Sequence, residues 1–142
     1  MPTREEICRL CDGYIAALNR RDPEAVIAFF AEDAVQEEPV GSAPNVGREK
    51  ILAFFEGHRE APITVTRFGP VNVVGNRAAF QAYVAIDTPD GSVAITTTDV
   101  ITVDDDCLIS ELLAFPDREG DPDDAPGARL LADSWAKTSS VT

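Results

Sequence analysis

The chain is poor in positive charge. Its 142 residues hold 12 Lys and Arg against 25 Asp and Glu, a net charge of −13. A chain this acidic lacks the basic patches that draw nucleic acid or anionic membrane surfaces. A neutral small molecule suits it better. Histidine is nearly absent too. His58 is the only one, which leaves a serine–histidine triad with little support. Cysteine is scarce. Cys8 and Cys11 lie three apart and Cys107 is remote, with no second ligand pair beside them, so all three read as ordinary reduced residues. No apolar run approaches the ~20 residues of a membrane span. The start, MPTREEICRL, lacks the basic and then apolar order of a signal peptide. Nucleotide-binding glycine motifs and HExxH are missing. The expectation is a soluble cytoplasmic protein with no cofactor and no metal.

What is present reads as a folded domain. The length suits one domain with room for a core and a ligand pocket. Thr3 and Glu6 form a T-x-x-E capping box, and Ile7, Leu10, Cys11, Tyr14, Ile15 and Leu18 then recur at helical spacing. Asp22-Pro23 opens a second helix whose buried face is Val26, Phe29 and Phe30. An extended AVQEEPVG follows, then GSAPNVG, too rich in Gly, Pro and Asn for regular structure. A third helix, roughly Arg48 to Arg59, buries Ile51, Phe54, Phe55 and His58. From Pro62 the pattern turns to strands: ITVTRF, RAAFQAYVAI, SVAITTTDVITVD and CLISELLAF, with turns at Gly75-Asn76, TPDG and DDD. Helices first and an antiparallel meander after them mean α+β. Residues 1–116 form this domain. Residues 117–142 are an acidic linker with a short C-terminal helix, around Leu131 and Trp135, or a disordered tail.

One position breaks the strand pattern. Val93, Ile95, Thr97, Asp99, Ile101 and Val103 share a face, because side chains of a strand alternate. Five can face a core, and the sixth is an acid. A buried carboxylate is costly when charged and tends to stay neutral. Tyr14 on its apolar stripe and the pair Glu37-Glu38 before Pro39-Val40-Gly41 are ordinary taken singly.

Together, these features resemble the ketosteroid isomerase family, the steroid Δ5-isomerases of the NTF2-like, SnoaL-like superfamily. The stretches that carry the resemblance are YIAALNRRDPEAVIAFFAEDAVQEEPVGSAPNVGREKILAFF and TTTDVITV. The family pattern runs Tyr-x-Ala-Ala-Leu-Asn, a short acidic helix, then Glu-Asp-Pro-Val-Gly-Ser. The likeness covers Ile7 to Phe115. It implies a cone in which a curved, mostly antiparallel sheet wraps around three N-terminal helices. It implies a homodimer through the outer sheet face. Residue by residue, Tyr14 matches the oxyanion-hole tyrosine. Asp99 matches the acid that the family keeps protonated at neutral pH. Glu38 stands where the family has its general base.

Such an enzyme moves a C=C bond into conjugation with a ketone. One carboxylate removes a proton beside the carbonyl and returns it two carbons away. Two donors stabilise the charge on oxygen. Phe30, Phe54, Phe55, Phe80 and Phe115 are the candidates to line an apolar pocket for a steroid or similar polycyclic ketone. Two departures stand out. Glutamate replaces aspartate as the base, which moves the carboxylate by about 1 Å, enough to cost on the order of 10²-fold in rate. Phe55 stands where some members have a tyrosine behind the catalytic one. Two other readings fit the same fold: a polyketide or epoxide-opening cyclase, and a non-catalytic small-molecule-binding module.

Overall fold

Helix α1, Arg4–Asn19, opens on the expected capping box: Thr3 Oγ1 accepts from Glu6 N at 3.2 Å, and Glu6 Oε1 accepts from Thr3 N at 3.1 Å. Its stripe of Ile7, Leu10, Cys11, Tyr14 and Ile15 is buried. The chain was described from a computed structural model over residues 1–60, 62–89 and 91–117. The expected C-terminal helix around Leu131 and Trp135 lies outside the described residues.

Asp22 caps α2, Pro23–Ile27, by accepting from the backbone of Glu24 and Ala25. This helix is shorter than its apolar pattern suggests. Phe30 belongs instead to strand β1, Phe30–Glu37. The next departure is GSAPNVG. Two of its residues, Asn45–Val46, form a short strand β2 that pairs antiparallel with Gln36 and Val35. The exposed edge of β1 offers backbone groups that need partners, and this need overrides the loop composition. Helix α3, Arg48–Gly57, buries Ile51 and Phe55. His58 ends it exposed rather than buried, with its ring 4.5 Å from that of Phe54.

Four long strands complete the sheet: β3 Ile63–Val74, β4 Arg77–Thr88, β5 Gly91–Val103 and β6 Ile109–Asp117. Gly75 makes the β3–β4 turn at φ +59°, a region that glycine enters without strain. β6 starts two residues later than its apolar run suggests. Cys107 sits at φ +59° in a turn closed by Asp104 Oδ1, which accepts from Asp106 N and Leu108 N. The strand order is β2-β1-β6-β5-β4-β3, antiparallel except where β1 runs parallel to β6.

This α+β architecture is an NTF2-like cone, with the helices set against the concave face of a curved, open sheet. Helix α1 is tied to the edge strand β3. Asn19 donates to Val65 O and accepts from Val65 N, both at 2.8 Å, so its amide covers a stretch of unpaired strand edge. Asp12 and Arg67 add an ion pair at 3.1 Å. Among the described residues no helix is long and apolar enough to cross a membrane.

The core between helices and sheet should dominate stability. Ile51 is fully buried, whereas Val46 is 56 % exposed. Ile51→Ala should cost about 2–5 kcal/mol and Val46→Ala no more than about 0.5 kcal/mol, read from urea unfolding. Equal losses would mean that α3 does not pack as described.

Candidate active site

Tyr14 is placed by the helical stripe. Its ring stands edge-on to Phe30 at 5.8 Å and is almost wholly buried. Burial pushes its phenol well above the ordinary value of 10.0, and charge on Glu38, Asp99 and Cys11 pushes the same way. The phenol therefore keeps its proton and can act as a donor. Phe55 packs 6.0 Å from Phe30 and carries no hydroxyl, so no phenol supports Tyr14 from that position.

Glu38 and Asp99 are brought together by sheet register. Glu37 pairs with Leu113 across the parallel β1–β6 ladder, and Val40 N donates to Ala114 O at 2.8 Å. Ala114 in turn pairs with Asp99 on β5. Glu38 follows the last residue of β1 that is paired with β6, and β6 separates it from Asp99 on β5. Two strand spacings of ~4.8 Å put the two acids' backbones roughly 10 Å apart. Both carboxyls nonetheless line the same cavity, and the charge on Glu38 reaches Asp99.

Each acid has one neutral hydrogen-bond donor. Gln36 Nε2 donates to Glu38 Oε2 at 2.7 Å, and Thr97 Oγ1 donates to Asp99 Oδ1 at 3.1 Å. Asp99 is only 7 % exposed. Burial, and after it the charge on Glu38, raise it from 3.8 to about 7, with the Thr97 bond working against both. Burial also raises Glu38 from 4.5 to about 7, opposed by the Gln36 bond. Glu37 takes no part. Its Oε1 accepts from Gly41 N at 2.7 Å and holds the turn that follows β1.

Tyr14, Glu38 and Asp99 line one cavity of about 360 Å³. Apolar side chains, among them Leu18, Val26, Val84 and Ile95, make up most of its wall. Arg21, Asp22, Pro39, His58 and Arg59 are its exposed residues. The five expected phenylalanines divide. Phe54 and Phe55 line the cavity. Phe30 and Phe80 are buried in the core and are not part of its wall. Phe115 is 46 % exposed and faces away: it pairs with Thr98, whereas the next residue inward, Ala114, pairs with Asp99. Strand period two puts Phe115 on the outer face. Among the described residues no cluster of three His, Cys, Asp or Glu could hold a metal ion. A second, more open depression beside Thr3, Glu6, Arg9 and Cys107 is framed by capping groups that already bond each other.

An apolar cavity in an NTF2-like cone, with one phenol and two carboxyls of raised pKa, can exchange protons with a bound molecule and stabilise charge on it. The chain belongs to the SnoaL-like domain family, which it matches over residues 12–112. It is 33% identical to the steroid Delta-isomerase of Nocardioides simplex over 102 residues, 72% of this chain and 82% of that protein. Its fold is similar to that of SalBIII, described as an epoxide hydrolase/cyclase-like enzyme in pyran ring formation in the polyether salinomycin. That likeness has a TM-score of 0.76 at 22% identity and covers 83% of this chain and 95% of the other.

Sequence reasoning missed Gln36 as a partner of Glu38, Asn45 behind it, and the bond from Thr97 to Asp99. Period two along a strand could have found Gln36 and Thr97, each two residues before its acid. Nothing local points to Asn45, which reaches Gln36 across a strand pair.

The raised pKa values have a sign in stability. A carboxyl whose folded pKa lies above its unfolded value binds its proton more tightly when folded. Its contribution is complete below the unfolded value, is lost between about pH 4 and about pH 7, and does not change above that. Each such group costs about 1.4 kcal/mol per pH unit inside that window. Asp99→Asn removes one of the two. Urea unfolding should show the variant losing less stability than wild type from pH 4 to pH 7, with parallel curves above. Parallel curves throughout would mean that Asp99 titrates normally.

Proposed function

We propose that the protein is a ketosteroid-isomerase-type enzyme. It would move the double bond of a Δ5-3-ketosteroid, or a similar β,γ-unsaturated polycyclic ketone, into conjugation. The observation that carries this reading is the meeting of Tyr14, Glu38 and Asp99 in one apolar cavity, with Asp99 raised to about 7 by burial and by the charge of Glu38. The identity to a steroid Delta-isomerase supports it.

The ionised Glu38 carboxylate removes a proton from the carbon beside the ketone. The C–H electrons become a new C=C bond, and the carbonyl π electrons move onto oxygen. Tyr14 and protonated Asp99 donate hydrogen bonds to that dienolate oxygen. Protonated Glu38 then returns the proton to the carbon two places along, and the C=O bond reforms. No other reactant is consumed. Donors fixed in a dry cavity stabilise the oxyanion more than water does, because they need no reorganisation as the charge appears.

An epoxide-opening cyclase is the second reading, and the paired acids are what favour it. Protonated Asp99 would donate to the epoxide oxygen while Glu38 takes the proton of the attacking hydroxyl. Tyr14 separates the two: isomerisation needs its donor, whereas this alternative rests on the acids.

The first test is absorbance. Incubation with a Δ5-3-ketosteroid should produce the ultraviolet band of the conjugated enone. Glu38→Gln should lower kcat by about 10²–10⁴ with steroid binding largely kept. Tyr14→Phe should lower it by about 10²–10³. Turnover retained in Glu38→Gln would show that another group is the base. We also expect, by family resemblance, a homodimer through the outer sheet face; sedimentation at micromolar concentration should return twice the chain mass, and a monomer mass would end that idea.

A further inference from the structure

Gln36 is the one glutamine or asparagine among the described residues that is fully buried, at 0 % exposure. A primary amide in a core is costly unless its polar atoms are satisfied. Here both are engaged, and each partner is informative. Nε2 donates to Glu38 Oε2 at 2.7 Å, and Oε1 accepts from Asn45 Nδ2 at 3.0 Å. The order of this chain follows from chemistry. An ionised carboxylate only accepts, so the amide must turn its NH₂ toward Glu38. Its carbonyl then faces Asn45, whose own NH₂ must be the donor. Sheet register builds the chain: Gln36 and Asn45 are directly opposite on β1 and β2, and Gln36 lies two residues before Glu38 on the same strand face.

The groups whose ionisation the charge on Glu38 shifts are Asp99 from β5 and Tyr14 from α1, and the same cavity is also lined by the exposed Arg21, Asp22, His58 and Arg59. The two carboxyls repel when both are charged, so over a range of pH they hold one proton between them. Catalysis as proposed needs that proton on Asp99. The neighbours of the two acids are not equivalent. The Thr97 hydroxyl can donate to a charged Asp99 or rotate and accept from a protonated one. An amide NH₂ can only donate. With its NH₂ held toward the acid, Gln36 bonds a carboxylate more strongly than a neutral carboxyl and so favours the charged form, and its bond is also the shorter, 2.7 Å against 3.1 Å.

We propose that Gln36, oriented by Asn45, is a positioning residue that keeps the negative charge of the acid pair on Glu38 and leaves the proton on Asp99. It fixes which carboxyl is the base and which is the donor. The role rests on the isomerase reading, but its test does not. Carbon-13 carboxyl titration of the free protein needs no substrate, so a chain that turned over no ketosteroid would still answer the question.

In wild type the Glu38 carboxyl should ionise before that of Asp99. Gln36→Met keeps length and volume and removes the amide. It should move the Glu38 midpoint up by about 1 pH unit, the scale expected for one hydrogen bond to a charged group. With less charge on Glu38, the Asp99 midpoint should fall. Asn45→Ala leaves Gln36 in place and releases its carbonyl, so it should shift Glu38 the same way by less. Where an assay substrate is found, the acid limb of kcat/KM should move up with Glu38 while KM stays nearly constant. Circular dichroism checks that each variant folds, and Asn45→Ala alone decides the matter if Gln36→Met does not. A folded variant of either kind with an unchanged Glu38 midpoint overturns the proposal, since a side chain that only fills the core would leave that midpoint alone.

Discussion

Two carboxyl groups in one apolar cavity cannot both be charged cheaply, and the rest of the site follows from that constraint. Desolvation lifts Glu38 to about 7, and desolvation together with the charge on Glu38 lifts Asp99 to about 7. The pair therefore holds a proton at pH values where a surface acid would have lost it. That proton lowers the cost of burying Asp99, and in the proposed mechanism it would make Asp99 a hydrogen-bond donor. The same charges raise Tyr14, whose phenol stays protonated beside them. The ionised base beside two neutral donors that the proposed mechanism calls for would thus be a product of burial and mutual repulsion.

The fold delivers this pair through one unusual connection. In a simple meander, β1 would stand apart from β5. Its parallel insertion beside β6 places Glu37, the residue before Glu38, level with Leu113, while the next residue of β6, Ala114, is level with Asp99. A one-residue slip along β6 would turn Asp99 or Glu38 onto the outer face, because strand side chains alternate. The buried run of Ile101, Val103, Ile109, Leu112 and Ala114 opposes such a slip, since slipping would expose it. Core packing and active-site geometry are in this sense one specification.

The parts of the molecule that follow a period were legible in the sequence. The stripe of α1 carried Tyr14 inward, and the alternation of β5 put Asp99 on the core face. Glu38 was marked by the family resemblance, not by its local pattern. What escaped was decided by distant pairing. GSAPNVG reads as loop, yet Asn45–Val46 is held as a strand by the free edge of β1. Phe115 reads as a pocket aromatic, yet its register with Thr98 sends it outward. His58 reads as part of a buried helical face, yet α3 ends one residue before it. In the first two cases the local signal was real and a partner far along the chain overrode it; His58 instead sits at the helix C-cap with its ring against Phe54.

The glutamate at position 38 can be understood with its neighbours. The extra methylene, taken alone, misplaces a carboxylate relative to an aspartate and adds a rotatable bond, which makes a base less well aimed. Gln36 answers both effects by bonding the carboxylate at 2.7 Å from within the core, backed by Asn45. An aspartate at this position would be too short by that same methylene to keep the contact without backbone movement. The longer acid and the buried amide are therefore best treated as one unit. With Phe55 unable to support the Tyr14 hydroxyl, the oxyanion would lean more on Asp99, and Asp99 donates only while the charge remains on Glu38.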